Sequence, residues 1–136
     1  MADLVITAAS VVAGSGASKP SGTAGATITA GQAVYLDSTD GKYKLADCNS
    51  ATAAVRSPAG IALHGALASQ PLTILSSGPV TIGAALTAGV AYYLSGTAGG
   101  IRPVADNITG DYPVILGIAT STTVLNVKIQ EAGVAL

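Results

Sequence analysis

The side chains with the widest catalytic range are scarce in this chain, which contains a single histidine, His64. Any acid–base relay or nucleophilic triad built on an imidazole would have to use this one residue. No Gly-x-Ser-x-Gly motif surrounds any serine, so no nucleophile elbow accompanies it. We therefore expect His64 to be structural, and we predict that the chain has no catalytic residues and is not an enzyme.

Cysteine chemistry is restricted in the same way, because Cys48 is the only cysteine. A single thiol cannot form an intrachain disulfide or supply a cysteine-based metal cluster. It lies between Asp47 and Asn49, and a lone cysteine is more often a small buried filler than a nucleophile. Stability is therefore expected to come from packing.

Three short segments resemble ligand or modification sites without meeting their requirements. In the glycine-rich residues 14–19, Lys19 does not follow a glycine, and Pro20 would block the helix that a phosphate-binding loop must open. Residues 37–41 only faintly resemble a calcium loop, since Thr39 occupies a ligand position and no glutamate closes the loop. Asn107 begins a glycosylation sequon, which has weight only in a secreted protein. We predict no cofactor and no metal.

The charge balance of the chain argues against nucleic acid as a partner. Six basic residues face seven acidic ones, and the net charge is −1, whereas nucleic-acid binding needs clustered Lys and Arg. Phe and Trp are absent, so rings for base stacking are few. Charged residues make up only 10% of the chain, well below the usual quarter or so of a soluble domain. We expect other protein subunits to cover much of the surface.

The apolar segments do not indicate a membrane protein. The longest of them, residues 82–94, is interrupted by Thr87 and two glycines and is too short to span a bilayer. Residues 1–12 carry Asp3 and no basic residue, so they lack the charged start of a secretory signal. We predict no contact with a membrane.

A two-residue period dominates the rest of the chain and predicts an all-β fold. Leu125, Val127 and Ile129 alternate with polar residues, as in a strand with one wet face. Asp40-Gly41 is a strong signal for a tight hairpin. Alanines are abundant but lie among Gly, Ser and Thr, which disfavours helix.

Internal similarity indicates that the β domain contains one unit twice. Residues 29–36 and 87–94 share the pattern Thr-Ala-Gly-x-Ala-x-Tyr-Leu, and Gly60-Ile-Ala reappears as Gly117-Ile-Ala. Repeats of this size correspond to one supersecondary unit each. We predict two similar units, at about 29–75 and 87–129, packed as a small β-sandwich or barrel.

The amino-terminal part has a different composition and predicts an extended arm. Residues 14–25 contain no apolar side chain larger than alanine, so burial cannot order them. Residues 1–27 are therefore expected to form a strand at 4–12 and a Gly/Ser-rich linker that reaches roughly 35 Å from a β domain at 28–136. The alternative is that the arm completes its own sheet. If the arm instead reaches a partner, we expect the body to fold without residues 1–25. The residues proposed to contact the partner are Leu4, Val5, Ile6, Val11 and Val12.

Over residues 28–133 the chain resembles the small capsid decoration, or cement, proteins of tailed bacteriophages. The resemblance implies a virion protein with a β-barrel or β-sandwich body, often trimeric, that is made in the host cytoplasm and lies on the outer capsid surface. Its partner would be the major capsid protein, whose neighbouring subunits it would hold together. The motifs that carry the resemblance are Gly-Gln-Ala-Val-Tyr-Leu at 31–36, Gly-Ile-Ala at 60–62, Pro-Leu-Thr-Ile-Leu at 71–75, Gly-Pro-Val at 78–80 and Thr-Ala-Gly-Val-Ala-Tyr-Tyr-Leu at 87–94.

A second class of function is a ligand-binding or carbohydrate-binding β module of a fibre or adhesin. Such a site needs a concave surface with aromatic and polar side chains, and Tyr92 and Tyr93 are the adjacent rings that could supply it. Because the chain has no Trp, it would be a weak sugar platform.

Overall fold

The computed structural model describes residues 3–106 and 109–135, and it confirms the all-β prediction. The glycosylation sequon at Asn107 lies outside the described residues. Short 3₁₀ helices occupy Ala8–Ser10, Ala53–Arg56 and Val104–Asp106. The strands are β1 (Val12–Ala13), β2 (Ser21–Thr23), β3 (Ala33–Asp37), β4 (Lys42–Leu45), β5 (Gly60–Ala62), β6 (Pro71–Leu75), β7 (Gly78–Thr81), β8 (Ala91–Leu94), β9 (Ile101–Pro103), β10 (Val114–Ala119) and β11 (Val124–Glu131).

The strands form two antiparallel sheets, an arrangement consistent with a β-sandwich and not with a closed barrel. The six-stranded sheet has the order β1-β7-β11-β10-β8-β9, and the five-stranded sheet has the order β2-β6-β5-β3-β4. Strands β2 to β6 thus follow the same path as strands β7 to β11, with β1 added at the edge of the larger sheet. We call these two groups unit 1 and unit 2.

Matching backbone contacts accompany the shared strand order. Gly31 and Gly89 both have positive φ angles, of 89° and 84°. The Gly31 N–H donates to the carbonyl oxygen of Ala62 at 2.8 Å, and the Gly89 N–H donates to that of Ala119, also at 2.8 Å. The positive φ explains the glycine of both Thr-Ala-Gly motifs, since other residues rarely adopt it. The same local sequence therefore makes the same turn in each unit.

The glycines of the two Gly-Ile-Ala motifs are required by close strand packing. A Cβ on Gly60 would collide with the backbone carbonyl of Leu75, and a Cβ on Gly117 with that of Asn126. We expect Gly60→Ala and Gly117→Ala each to lower the free energy of unfolding by about 1–3 kcal/mol, because the strands must separate to admit a methyl group. Urea denaturation measures this change.

Gly65→Ala is the matched control for these substitutions. Its Cβ would meet only the Ile28 carbonyl oxygen, at the ordinary contact distance of 3.5 Å. We expect this variant to stay within about 0.5 kcal/mol of the wild type. Equal losses in the three variants would mean that the strand contacts do not require glycine.

Unit 1 encloses a small core of its own. Its sheet curls until Ala24, beyond β2, forms a bridge with Tyr43 on β4 at the opposite edge. Gly22 makes this approach possible, because the Tyr43 ring occupies the space of a Cβ there. The residues of this small core are Ala24, Ile28, Val34, Tyr43, Ala62, Ala66, Leu72 and Ile74.

The larger core lies between the sheets and joins unlike faces of the two units. In unit 1, Val34 points into the small core, while Tyr35 on the other face belongs to the large core. In unit 2, Tyr92, the counterpart of Val34, points into the large core, and Tyr93 is only half-buried. The inner face of unit 2 therefore covers the outer face of unit 1, while exposed residues remain on the outer face of unit 2.

In this structure the amino-terminal segment lies along the domain, and backbone pairing occurs within the residues predicted as an extended linker. Ser18 forms a bridge with Ser77, and β2 pairs with β6 inside the segment assigned to the arm. The strand expected at 4–12 is reduced to β1, which pairs with β7. Small residues bury little area, but each can still hydrogen-bond through its backbone, and those bonds order this segment.

Candidate interaction surfaces

His64 is used structurally at the end of β5. The Thr73 N–H donates to its Nε2 at 3.0 Å, so Nε2 acts as an acceptor, and the proton on Nδ1 is placed to donate to the Gly65 carbonyl oxygen at 2.9 Å. Nε2 thus ties the β5–β6 connection to β6, while Nδ1 contacts a carbonyl within the connection itself. This arrangement leaves neither nitrogen aimed at a substrate.

The thiol of Cys48 is buried and has low nucleophilic reactivity. Burial, the largest effect, raises the pKa of its thiol to about 11, so the thiolate that would act as a nucleophile is a very small fraction at neutral pH. The Arg102 Nη2 donates to Sγ at 3.3 Å. Nucleophilic chemistry at this residue is therefore disfavoured by its surroundings.

A buried ion pair within unit 2 lies next to this thiol. The Arg102 Nη2 lies 2.5 Å from Asp111 Oδ2, and both side chains are less than one-tenth exposed. The backbone of Cys48, which follows unit 1 strand β4, donates to Ser95 and accepts from Tyr112, both at 3.0 Å. The buried charges and these backbone bonds therefore fix the segment after β4 against unit 2.

The aspartates of the β3–β4 hairpin are engaged by a lysine. Lys44 Nζ lies 2.6 Å from Asp37 Oδ2 and 3.2 Å from Asp40 Oδ2. Hydrogen bonds from Lys44 and then from Thr39 hold the pKa of Asp37 well below its usual range. The position between the carboxylates, where a cation would bind, is thus filled by an ammonium group. Within 3–106 and 109–135, no group of three or more His, Cys, Asp and Glu could hold a metal ion.

The five arm residues proposed as partner contacts fall into two classes. Val11 is only 8% exposed, and Leu4 and Ile6 pack against the large core, so in this structure these three contact their own domain. Val5 and Val12 are 89% and 59% exposed. Only these two of the five are placed for a partner.

The segment around Val5 is held rigidly although its side chain is exposed. On one side the Leu4 N–H donates to the Ile101 carbonyl oxygen at 2.7 Å, and on the other the Thr7 N–H donates to that of Gly83 at 2.8 Å. Asp3 Oδ1 also accepts a hydrogen bond of 2.6 Å from the Ser95 hydroxyl. The segment thus runs from the β9 edge of the six-stranded sheet to β7 near its opposite edge, with Val5 projecting from it.

A depression of about 550 Å³ lies beside Val5. Its walls carry no aromatic ring and no charge, so it suits a small apolar or hydroxyl-bearing side chain of a protein better than a sugar. It is lined by Val5, Thr7, Ser10, Thr81, Gly83, Ala84, Ala85, Thr122 and Thr123. The arm and the β7–β8 and β10–β11 turns together form this surface.

The tyrosine pair considered for a ligand site is split by the fold. Tyr92 is buried, and its hydroxyl accepts a 2.9 Å hydrogen bond from the Thr87 N–H. Tyr93 is half-buried on the opposite face of β8. The two rings therefore cannot stack against one ligand, which weakens the case for a carbohydrate-binding module.

A second surface is the outer face of unit 2, which has an apolar centre and a polar margin. Tyr93 and Ile115 are cross-strand partners, and Ile118 on the same sheet is 52% exposed. Two shallow hollows of about 260 and 250 Å³ adjoin on this face and share Ile115 and Gln130. Polar residues such as Gln130 surround the apolar centre, as in many protein interfaces.

Comparison with known proteins identifies no relative: no family model, no curated protein and no solved structure matches this chain. The resemblance to phage decoration proteins therefore rests on the sequence pattern alone. None of the helices among the described residues is long and apolar enough to cross a membrane. The two surfaces described above remain the features most suited to a partner.

Proposed function

We propose that this chain is a structural protein of a tailed-phage virion that decorates the outer capsid surface. It stabilises the shell by binding between major capsid protein subunits, and it acts as a homo-oligomer, with a trimer favoured by the resemblance. The all-β body and the decoration-protein sequence pattern support this proposal.

The observation that carries the proposal is the exposure of large apolar side chains on a surface with few charges. Charged residues make up only 10% of the chain, and depletion of charged residues is characteristic of the core of protein interfaces. Among the described residues, the exposed large hydrophobic ones are Val5, Val12, Leu36, Leu67, Val104, Ile118 and Val134.

Val5 is the side chain best placed to contact the capsid. Because the backbone around it is fixed by the Leu4 and Thr7 hydrogen bonds, little conformational entropy is lost when it binds. The depression beside it offers room for a side chain of the capsid subunit. A modest contact of this kind, repeated at every site of a shell, stabilises the assembled form by mass action.

Shell binding tests the proposal directly. Purified protein should bind undecorated shells of its cognate major capsid protein, with a saturating stoichiometry that follows the shell symmetry. Val5→Asp should weaken binding at least about tenfold, because a carboxylate must be desolvated in an apolar contact. Sedimentation of shells with labelled protein measures both quantities.

Leu67→Asp is the matched control, since Leu67 is also exposed, at 58%, but lies in the β5–β6 connection. It should bind as the wild type does. Absence of saturable binding by the wild type would overturn the proposed function. Equal weakening in the two variants would overturn the role of Val5.

A further inference from the structure

We propose that the outer face of unit 2, centred on Tyr93, Ile115 and Ile118, is the surface on which a second copy of this chain packs. This inference deepens the proposed function and rests on its homo-oligomeric part, because it names the surface through which copies meet. The repeated architecture of the chain supports it, because the corresponding face of unit 1 packs against another sheet.

Equivalent positions in the two units have opposite environments. Tyr35 corresponds to Tyr93, and Ile61 of the first Gly-Ile-Ala motif corresponds to Ile118 of the second. Ile61 is fully buried, whereas Ile118 is 52% exposed. The face that unit 1 buries beneath another sheet is therefore left open in unit 2, although the same kinds of side chain occupy it.

The sheet that packs on the outer face of unit 1 indicates which kind of partner suits the outer face of unit 2. Ala33, Tyr35 and Ile61 share one core with Tyr92 and Leu94 of unit 2. A β-sheet of the same fold thus already packs on the outer face of one unit within the chain. A second copy brings sheets of that same fold, and it is the partner for which the molecule itself provides a precedent.

The shape of the face also suits identical copies. Ile118 is exposed and borders a hollow that Gly117 also lines, and Gly117 cannot gain a Cβ without a collision with the Asn126 carbonyl. Each copy therefore offers both a projecting apolar side chain and an adjoining hollow. Self-association requires both complementary features on one molecule.

The charges on the face do not oppose this pairing. The hollow at Gly117 includes Lys128, and the adjoining hollow includes Glu131. Charges of both signs therefore occur at the margin, and two copies can bring unlike charges together. The apolar centre lies among polar groups, as in the core and rim of a protein interface.

Molar mass in solution tests the inference. The wild type should have a mass that is a multiple of 13.1 kDa by light scattering. Ile118→Lys should raise the dissociation constant at least about 30-fold, as the loss of a central interface residue does. Ile118→Thr keeps a β-branched side chain in the strand and should cause a smaller increase, and circular dichroism should show that both variants keep the β fold.

Leu67→Lys is the control, because Leu67 is exposed to a similar degree, 58%, but lies off this face. It should associate as the wild type does.

A monomeric wild type throughout a dilution series, or an unchanged mass for folded Ile118→Lys, would overturn the inference. A monomeric wild type that loses shell binding in Ile118→Lys would assign the face to the capsid protein instead. An oligomeric wild type that does not bind shells would overturn the proposed function and leave this inference standing.

Discussion

Asp111→Ala should lower the free energy of unfolding by about 3–5 kcal/mol, because it breaks a buried ion pair. The Asp111 carboxylate lies 2.5 Å from Arg102 Nη2, and both side chains are buried. Removing it leaves the guanidinium in the interior without its carboxylate partner. Water cannot compensate fully, because the segment after β4 covers the pair, with Cys48 Sγ 3.3 Å from the same nitrogen.

Urea denaturation followed by circular dichroism measures this loss. Asp40→Ala is the matched control, because it removes an aspartate 3.2 Å from Lys44 Nζ at an exposed hairpin, where ion pairs contribute only about 0–1 kcal/mol. A loss below about 1 kcal/mol for Asp111→Ala would show that the buried pair does not stabilise the fold.

Deleting residues 1–13 should also destabilise the domain, by about 3–5 kcal/mol, since fully burying each large apolar side chain contributes about 1.5–3 kcal/mol. Val11 is buried, and Leu4 and Ile6 pack on the large core. The deletion also removes β1 from its pairing with β7. This expectation reverses the prediction from sequence that the body folds independently of the arm.

Thermal unfolding of the truncated protein provides the measurement. If truncation prevents expression, Ile6→Ala combined with Val11→Ala should give a loss of about 2–4 kcal/mol. Val5→Ala combined with Val12→Ala is the control, because these side chains are 89% and 59% exposed, and it should change stability by less than about 1 kcal/mol. A truncated protein with the wild-type midpoint would restore the view of an arm independent of the body.

The arm shows where composition misleads. Residues 14–25 lack large apolar side chains, and on that basis they were expected to be a linker. In the structure, Ser18 bridges Ser77, and the Gly25 N–H donates to the Tyr43 carbonyl oxygen at 2.7 Å. Composition reports how much area side chains can bury, but every residue except proline also has a backbone donor and acceptor. Whether these find partners depends on strands distant in sequence.

The sequence by itself determined the class of fold and its local geometry. Alternation at Leu125 and Val127 predicted the strand β11, and Asp40-Gly41 predicted the β3–β4 hairpin, both of which the structure contains. The repeated Thr-Ala-Gly motif forms the same glycine turn at Gly31 and Gly89. These features follow from interactions between near neighbours, namely side-chain alternation and the φ angles that each residue type allows.

Only the tertiary structure decided which of the repeated faces became core and which remained surface. Ile61 and Ile118 lie in identical Gly-Ile-Ala motifs, yet one is fully buried and the other is 52% exposed. Likewise, nothing local to Asp111 marked it as the buried partner of Arg102. Alternation in a strand defines two faces, but burial of a face depends on the sheet packed against it. In this chain that sheet comes from the other unit, so long-range packing fixed the exposed surface available to partners.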